Sequence, residues 1–107
     1  MTPDDVRQQI LQVVRDLKGA ANAHYESELA VERAEADYQH AVDRGLLSAE
    51  GNVSERTAIA RLGAVDARDA AIIARATHNR VRLKARHLEA ELVGLQALLK
   101  SIQYEGA

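Results

Sequence analysis

The spacing of small and apolar residues in the second half of the chain constrains the fold more than any other feature. Between Ser54 and Gln103 these residues recur in alternating steps of three and four, which places them on one side of an α-helix. The repeat lasts about seven heptads, through Thr57, Ala60, Ala64, Ala67, Ala71, Ala74, His78, Val81, Ala85, Leu88, Leu92, Leu95, Leu99 and Ile102. The pattern predicts one continuous helix over residues 54–103, about 75 Å long at about 1.5 Å per residue.

A repeat of the same kind occupies the first half of the chain. Its members are Val6, Ile10, Val13, Leu17, Ala20, His24, Ser27, Val31, Ala34, Tyr38 and Ala41. Thr2 and Pro3 are suited to begin a helix, and the two aspartates that follow suit the positive end of the helix dipole. We therefore expect a helix over about residues 3–45. Gly19 leaves two alternatives, a kink or a break that folds the pieces into a three-helix bundle.

The stretch between the repeats, residues 46–53, lacks periodicity and contains turn-forming residues, and Ser54 is expected to cap the second helix. A connection this short makes two long helices antiparallel neighbours. The expected alignment sets Val31 against Ala74. The predicted fold is all-α, a coiled-coil-like antiparallel hairpin of two helices with an alanine-rich seam, forming a single domain over residues 1–107.

Arginines flank the second repeat at seven-residue intervals, at Arg61, Arg68, Arg75 and Arg82. Across the hairpin they face Glu28 and Glu35, and charge alone leaves two alignments open. In the expected alignment Glu28 pairs with Arg75, and Glu35 pairs with Arg68. In an alignment shifted by one heptad, Glu28 pairs with Arg82 and Glu35 with Arg75.

A hairpin buries only one side of each helix, and apolar residues remain on the other sides. On the second helix they are Ile59, Leu62, Ile72, Ile73, Leu83, Val93 and Leu98. Soluble monomers rarely expose apolar stripes of this length. We therefore predict that these residues form an interface between copies of the chain in a homo-oligomer.

Composition excludes several kinds of protein. The chain has no cysteine, so disulfides and thiolate metal sites are excluded, and a reducing cytoplasm suits it. No apolar run approaches the length of a membrane span, so we expect no membrane partner, and the acidic start predicts no signal peptide. The net charge is −2, with ten acidic and five basic residues in 1–53 and six acidic and nine basic residues in 54–107.

The most basic segment runs from Arg75 to His87, and no acidic residue occurs from Ala70 to Leu88. Such a row suits a phosphate backbone, bound with an affinity that falls as salt rises. Under this interpretation the nucleic-acid-binding residues are Arg75, Arg80, Arg82, Lys84 and Arg86. The alternative is that Arg75 and Arg82 pair with glutamates of the first helix while the other cations are only solvated.

Polar residues inside the seam are a second candidate site. In the expected alignment Ser27 meets His78, with His24 one layer away. A metal site would need a further ligand, so we interpret these residues as a buried polar layer that fixes the alignment, and expect no metal. Asp66 and Asp69 are expected to be solvated or salt-bridged.

Motifs for catalysis are absent from the sequence. It contains no glycine-rich phosphate loop, no nucleophile beside a base at useful spacing and no HExxH. Two helices with alanine faces are also expected to leave no concave pocket. We therefore predict no catalytic residue, no cofactor and no enzymatic activity.

The pattern of the chain resembles small all-helical hairpin proteins of tailed bacteriophages. The residues that carry the resemblance are the lead-in at 51–57, the Ala/Arg run that follows it, the closing stretch at 95–101, and the Tyr- and Ala-rich first helix. Several such proteins look like recombination mediators of the UvsY type. The resemblance implies an oligomer that binds single-stranded DNA through the basic residues of the second helix. It also implies partners in a recombinase or single-strand-binding protein, and a location in the host cytoplasm.

Three functions therefore remain open. A recombination mediator is the leading hypothesis. The alternative is a phage structural, scaffolding or protein-interaction module, including an inhibitor of a host protein, that docks a partner on Ile59, Leu62 and Ile73 without binding nucleic acid. A secreted hairpin of the WXG type is the third, although the Trp-x-Gly turn of that family is absent here.

Overall fold

A computed structural model describes residues 1–105 of the chain and contains three α-helices. These are α1 (Pro3–Ser48), α2 (Val53–Gly63) and α3 (Val65–Glu105), and the described residues contain no strand. The all-α prediction is confirmed. The chain divides into two compact units: unit 1 combines residues 1–25 with the chain from Arg80 onward, and unit 2 comprises residues 26–79.

Helix α1 begins with a capping box. The Thr2 backbone N–H donates to the Asp5 carboxylate over 3.1 Å, and the Asp5 N–H donates to the Thr2 hydroxyl over 3.2 Å. The helix then runs through Gly19 without a break, so the three-helix alternative that broke the chain there is wrong. It also extends to Ser48, three residues beyond the predicted end, before the turn at residues 49–52.

The prediction that Ser54 caps the second helix is wrong, because Asn52 is the N-cap of α2. Its side-chain oxygen accepts the Glu55 N–H over 2.9 Å, and its amide donates back to the Glu55 carboxylate over 3.0 Å. The preceding Gly51 has a φ of 114°, which glycine adopts without steric cost. The turn therefore ends two residues earlier than Ser54.

The predicted continuous second helix is also wrong, because it is interrupted at Ala64. This residue caps α2 with φ −105° and ψ 11°, and its N–H donates to the carbonyl oxygen of Arg61 over 3.2 Å. Gly63, just before it, favours helix less than alanine by about 1 kcal/mol. The heptad spacing continues from α2 into α3, so periodicity alone does not reveal the interruption.

The seam residues form the buried part of each unit. In unit 1 the buried core consists of Val6, Val13, Ala20, Leu88 and Leu95, with partly buried Ile10, Leu17, Ala85, Leu92, Leu99 and Ile102 packed around it. In unit 2 the most buried seam residues are Ala60 and Ala64, at 2% and 1% exposure. All seam positions in both repeats are buried or half-buried, as the spacing predicts.

The antiparallel alignment within unit 2 is fixed by two contacts. The Ser27 hydroxyl lies 2.8 Å from Nδ1 of His78. A Cβ added to Gly45 would lie 2.8 Å from the Cα of Ala60, so α1 and α2 approach closely there. Both pairs belong to the alignment that sets Val31 against Ala74, and that alignment is confirmed.

None of the helices within residues 1–105 has both the length and the apolar content that crossing a membrane requires.

Candidate nucleic-acid interface

Four of the five predicted nucleic-acid-binding residues lie together on α3 in unit 1, and all four are exposed: Arg80, Arg82, Lys84 and Arg86. Within the part of the chain that the structure describes, none of the four forms a salt bridge or hydrogen bond. Consecutive members are two residues apart, which rotates them by about 200° around the helix. The four cations therefore divide into two pairs on different sides of α3.

The fifth residue, Arg75, lies in unit 2 and forms a salt bridge with Glu35. The sequence predicts Glu35 as the partner of Arg75 only for the alignment shifted by one heptad. The seam nevertheless has the alignment that sets Val31 against Ala74. The long arginine side chain is able to reach a neighbouring turn, so the charge pairs do not report the alignment of the seam. Because its charge is already paired, Arg75 is less suited than the other four to hold a phosphate.

One side of unit 1 combines cations with an aromatic ring. A groove of about 290 Å³ marks where this side of α1 meets α3, and it is lined by Leu17, Ala20, Ala21, His24, Ala85 and Glu89. Tyr25 and Lys18 lie one helical turn from Ala21 on either side. On α3, Arg86 and Arg82 lie one and two turns before Glu89. We call this side the tyrosine face, and it comprises Lys18, Ala21, Tyr25, Arg82, Arg86 and Glu89.

The other side of unit 1 carries the remaining cations. A groove there of about 460 Å³ is lined by Arg15, Asp16, Gly19, Ala20, Ala23, Val81 and Lys84. Arg80 lies one turn before Lys84, and Glu91 lies two turns after it. We call this side the aspartate face, and it comprises Arg15, Asp16, Arg80, Lys84 and Glu91.

The two faces differ in their side chains. Within unit 1 the tyrosine face has three cations and one carboxylate, whereas the aspartate face has three cations and two carboxylates; Glu28, one turn of α1 after Tyr25, belongs to unit 2. Only the tyrosine face carries an aromatic side chain, Tyr25, which is 67% exposed. The sequence interpretation missed Lys18 and Tyr25 because it followed the basic segment of one helix. Their heptad position on α1, beside the seam, is the signal that identifies them.

The Ser27–His78 contact is the polar layer that the sequence predicts. Ser27 is buried, at 8% exposure, and His78 is half-buried. No group of three or more His, Asp or Glu side chains within residues 1–105 is arranged to hold a metal ion. The contact joins α1 to α3 within unit 2.

The expectation that the helices leave no concave surface is wrong. In unit 2 a groove of about 570 Å³ is lined by Glu35, Tyr38, Gln39, Arg68, Ala71, Ile72, Arg75, Ala76 and Asn79. The groove contains the Glu35–Arg75 salt bridge and mostly small or apolar neighbours.

The residues predicted to form an oligomer interface are all exposed in the single chain. Exposure is greatest at Leu62, with 74%, and smallest at Leu98, with 39%; the other members are Ile59, Ile72, Ile73, Leu83 and Val93. Asp66 and Asp69, near this stripe, are exposed as expected.

In comparisons with known proteins, no protein-family model, no curated protein and no solved structure matches the chain.

Proposed function

We propose that this protein is a non-enzymatic, self-associating helical protein that binds single-stranded DNA through the cations of α3. Its role would be that of a recombination mediator, which helps a recombinase to load onto strands coated by single-strand-binding protein. The proposal rests on the resemblance to UvsY-type phage proteins and on the charge of one segment.

The observation that carries the proposal is the state of Arg80, Arg82, Lys84 and Arg86. All are exposed, and none has a carboxylate partner within residues 1–105. Arg75, by contrast, is paired with Glu35. Four exposed cations without such partners, two on each side of α3, suit a polyanion, since each phosphate that they neutralise releases counterions.

The first test compares two triple variants that remove the same charge. One carries Arg80→Ala, Arg82→Ala and Lys84→Ala, and the other carries Arg33→Ala, Arg44→Ala and Lys100→Ala, which are exposed cations elsewhere. Affinity for a fluorescent single-stranded oligonucleotide is measured by anisotropy at several salt concentrations. Only the first variant should bind weakly, with a slope of log affinity against log salt that is shallower by about 0.7 for each removed cation that contacts a phosphate.

Circular dichroism checks that both variants remain helical. Full affinity in the first variant would remove the basic segment from the proposal. Equal losses in both variants would mean that net charge, and not this segment, governs binding. The mediator role is tested separately, by asking whether the protein accelerates recombinase assembly on strands coated by single-strand-binding protein.

A second candidate function is favoured by the exposed stripe on α2 and α3 in unit 2. Ile59, Leu62 and Ile73 are each more than half exposed, which is unusual for a monomer. A protein-interaction module would use this stripe to bind a partner protein and would not bind nucleic acid. Absence of oligonucleotide binding, together with loss of partner binding on changing Leu62 and Ile73, would favour this function over the first.

A further inference from the structure

Tyr25 is an exposed aromatic residue beside the seam of unit 1. It lies on α1 in unit 1, is 67% exposed and shares the tyrosine face with Lys18, Arg82 and Arg86. Tyr38, by contrast, is half-buried in the seam of unit 2. Tyr25 lies beside the seam and not in it, so its ring is open to a ligand.

Three cations share this face with Tyr25, and Arg82 is the one nearest to its level. Because Ala20 and Ala85 line the same groove, the alignment of unit 1 places Arg82 at the level of residue 23 of α1. Tyr25 and Arg82 are therefore separated by about 3 Å along the helix axes. By the same alignment, Arg86 and Lys18 lie about 9 to 11 Å from Tyr25 along the helix axes, in the same direction as Arg82. One carboxylate, Glu89, lies beyond Arg86.

We infer that Tyr25 is a stacking platform for a nucleobase, and that the tyrosine face therefore selects single-stranded over double-stranded nucleic acid. This inference rests on the proposed function and specifies how the site discriminates. The cations, which all lie toward the same end of the face from Tyr25, would hold phosphates on one side of the stacked nucleotide. A single strand offers the flat surface of its bases to an aromatic ring, whereas a duplex keeps those surfaces stacked inside the helix. Cations alone would bind both forms.

The absence of tryptophan from the chain makes this inference directly testable. A Tyr25→Trp variant carries a single indole, whose fluorescence reports contact with a base. We expect a single-stranded thymidine oligonucleotide to quench this emission and a duplex of the same length to leave it nearly unchanged. The matched control is Tyr104→Trp, since Tyr104 is 88% exposed and lies outside the tyrosine face. Its emission should not respond to either oligonucleotide.

Affinity measurements complete the test. Loss of one stacked base is expected to weaken single-strand binding about 5- to 150-fold in Tyr25→Ala. Tyr25→Phe keeps the ring and should bind within about twofold of the unchanged protein. Duplex binding depends on phosphates, so Tyr25→Ala should leave it unaltered. Because Tyr25 is exposed, none of these changes is expected to unfold the helix, which circular dichroism verifies.

The outcomes separate this inference from the proposed function. If oligonucleotides bind through Arg82 and Arg86 but Tyr25→Ala binds single strands as tightly as the unchanged protein, stacking is overturned and the proposed function stands. Equal quenching of Tyr25→Trp by single strands and duplexes would overturn the selectivity. If the unchanged protein binds no oligonucleotide at all, both the proposed function and the stacking inference fail.

Discussion

Gly45 and Gly19 lie in the same helix, but their surroundings differ. A Cβ at position 45 would lie 2.8 Å from the Cα of Ala60, whereas nothing lies within 4 Å of a Cβ at position 19. The first glycine is needed for the approach of two backbones. The second has no such role and only lowers the helix preference of α1.

We predict opposite effects of alanine at these two positions. Gly45→Ala should lower the free energy of unfolding by about 1 to 3 kcal/mol, because the backbone of Ala60 is unable to move aside cheaply. Gly19→Ala should raise it by up to about 1 kcal/mol. Urea unfolding followed by circular dichroism measures both, and a stabilising Gly45→Ala would contradict the close approach.

The first turn of α1 gives a prediction about pH. Hydrogen bonds from the Thr2 backbone N–H and then from its hydroxyl lower the pKa of Asp5 from its usual 3.8. A carboxyl whose pKa is lower in the folded state stabilises that state at pH above the usual value, and this contribution is lost as pH falls through the lowered value. Between about pH 6 and about pH 2, the free energy of unfolding should therefore fall less in Asp5→Asn than in the unchanged protein.

The control for this prediction is Asp4→Asn, which removes an equal charge from the neighbouring residue. Urea midpoints across the pH range are compared for the three proteins. If the urea midpoint changes with pH identically in the unchanged protein and in Asp5→Asn, the capping box does not contribute to the loss of stability in acid.

Between elements, the contact of Ser27 with His78 joins α1 to α3 within unit 2. Ser27→Ala alone should lower the free energy of unfolding by about 1 kcal/mol, because it removes a buried partner of the histidine. Ser27→Ala combined with His78→Leu should cost less than the two single changes added together. A double-mutant cycle in urea gives this coupling, and strict additivity would indicate that the 2.8 Å contact does not stabilise the fold.

At this scale, much of the architecture could be predicted from the sequence. The three-and-four spacing identifies the seam residues, and the lengths of the repeats predict long helices, because burial of one helix side imposes that period. The alignment of α1 with α3 follows from the shortness of the turn, and Ser27–His78 agrees with it. These features depend on local rules that act over many residues.

Features that depend on one or two residues were not predictable in the same way. The interruption at Ala64 keeps the spacing intact, and Asn52 outcompetes Ser54 as a cap through two hydrogen bonds with Glu55. The site was only partly predicted, because the basic residues of α3 are visible in sequence but their division between two faces requires the position of α1. Tyr25 joins the site only once α1 and α3 are placed side by side.

For the molecule as a whole, exposed apolar side chains predict self-association. We expect the protein to sediment as an oligomer at tens of micromolar, and the double change of Leu62→Lys and Ile73→Lys to shift it toward the monomer. The matched control places lysines at Leu11 and Tyr104, which are also exposed but lie outside the predicted interface. A monomer of the unchanged protein in analytical ultracentrifugation would refute this prediction.

The predicted self-association and the proposed DNA binding involve different units of the chain. Leu62 and Ile73 belong to unit 2, whereas the tyrosine face belongs to unit 1. The lysine variant should therefore bind a short single-stranded oligonucleotide with about the affinity of the unchanged protein, while cooperative coating of a long strand should weaken.

The close approach of Gly45 to Ala60 has a consequence for how the chain avoids misalignment. Alanine–alanine contacts in successive heptads are equivalent, so the alanine positions of the seam do not by themselves distinguish one alignment from another shifted by seven residues. Sliding in one direction would press Val53 onto Gly45 and Tyr38 onto Ala60, where the backbones leave no room for a large side chain. Sliding in the other direction would pull residues 49–52 out of the turn. The missing Cβ of Gly45 therefore acts together with the Ser27–His78 contact to keep the helices from shifting by a heptad.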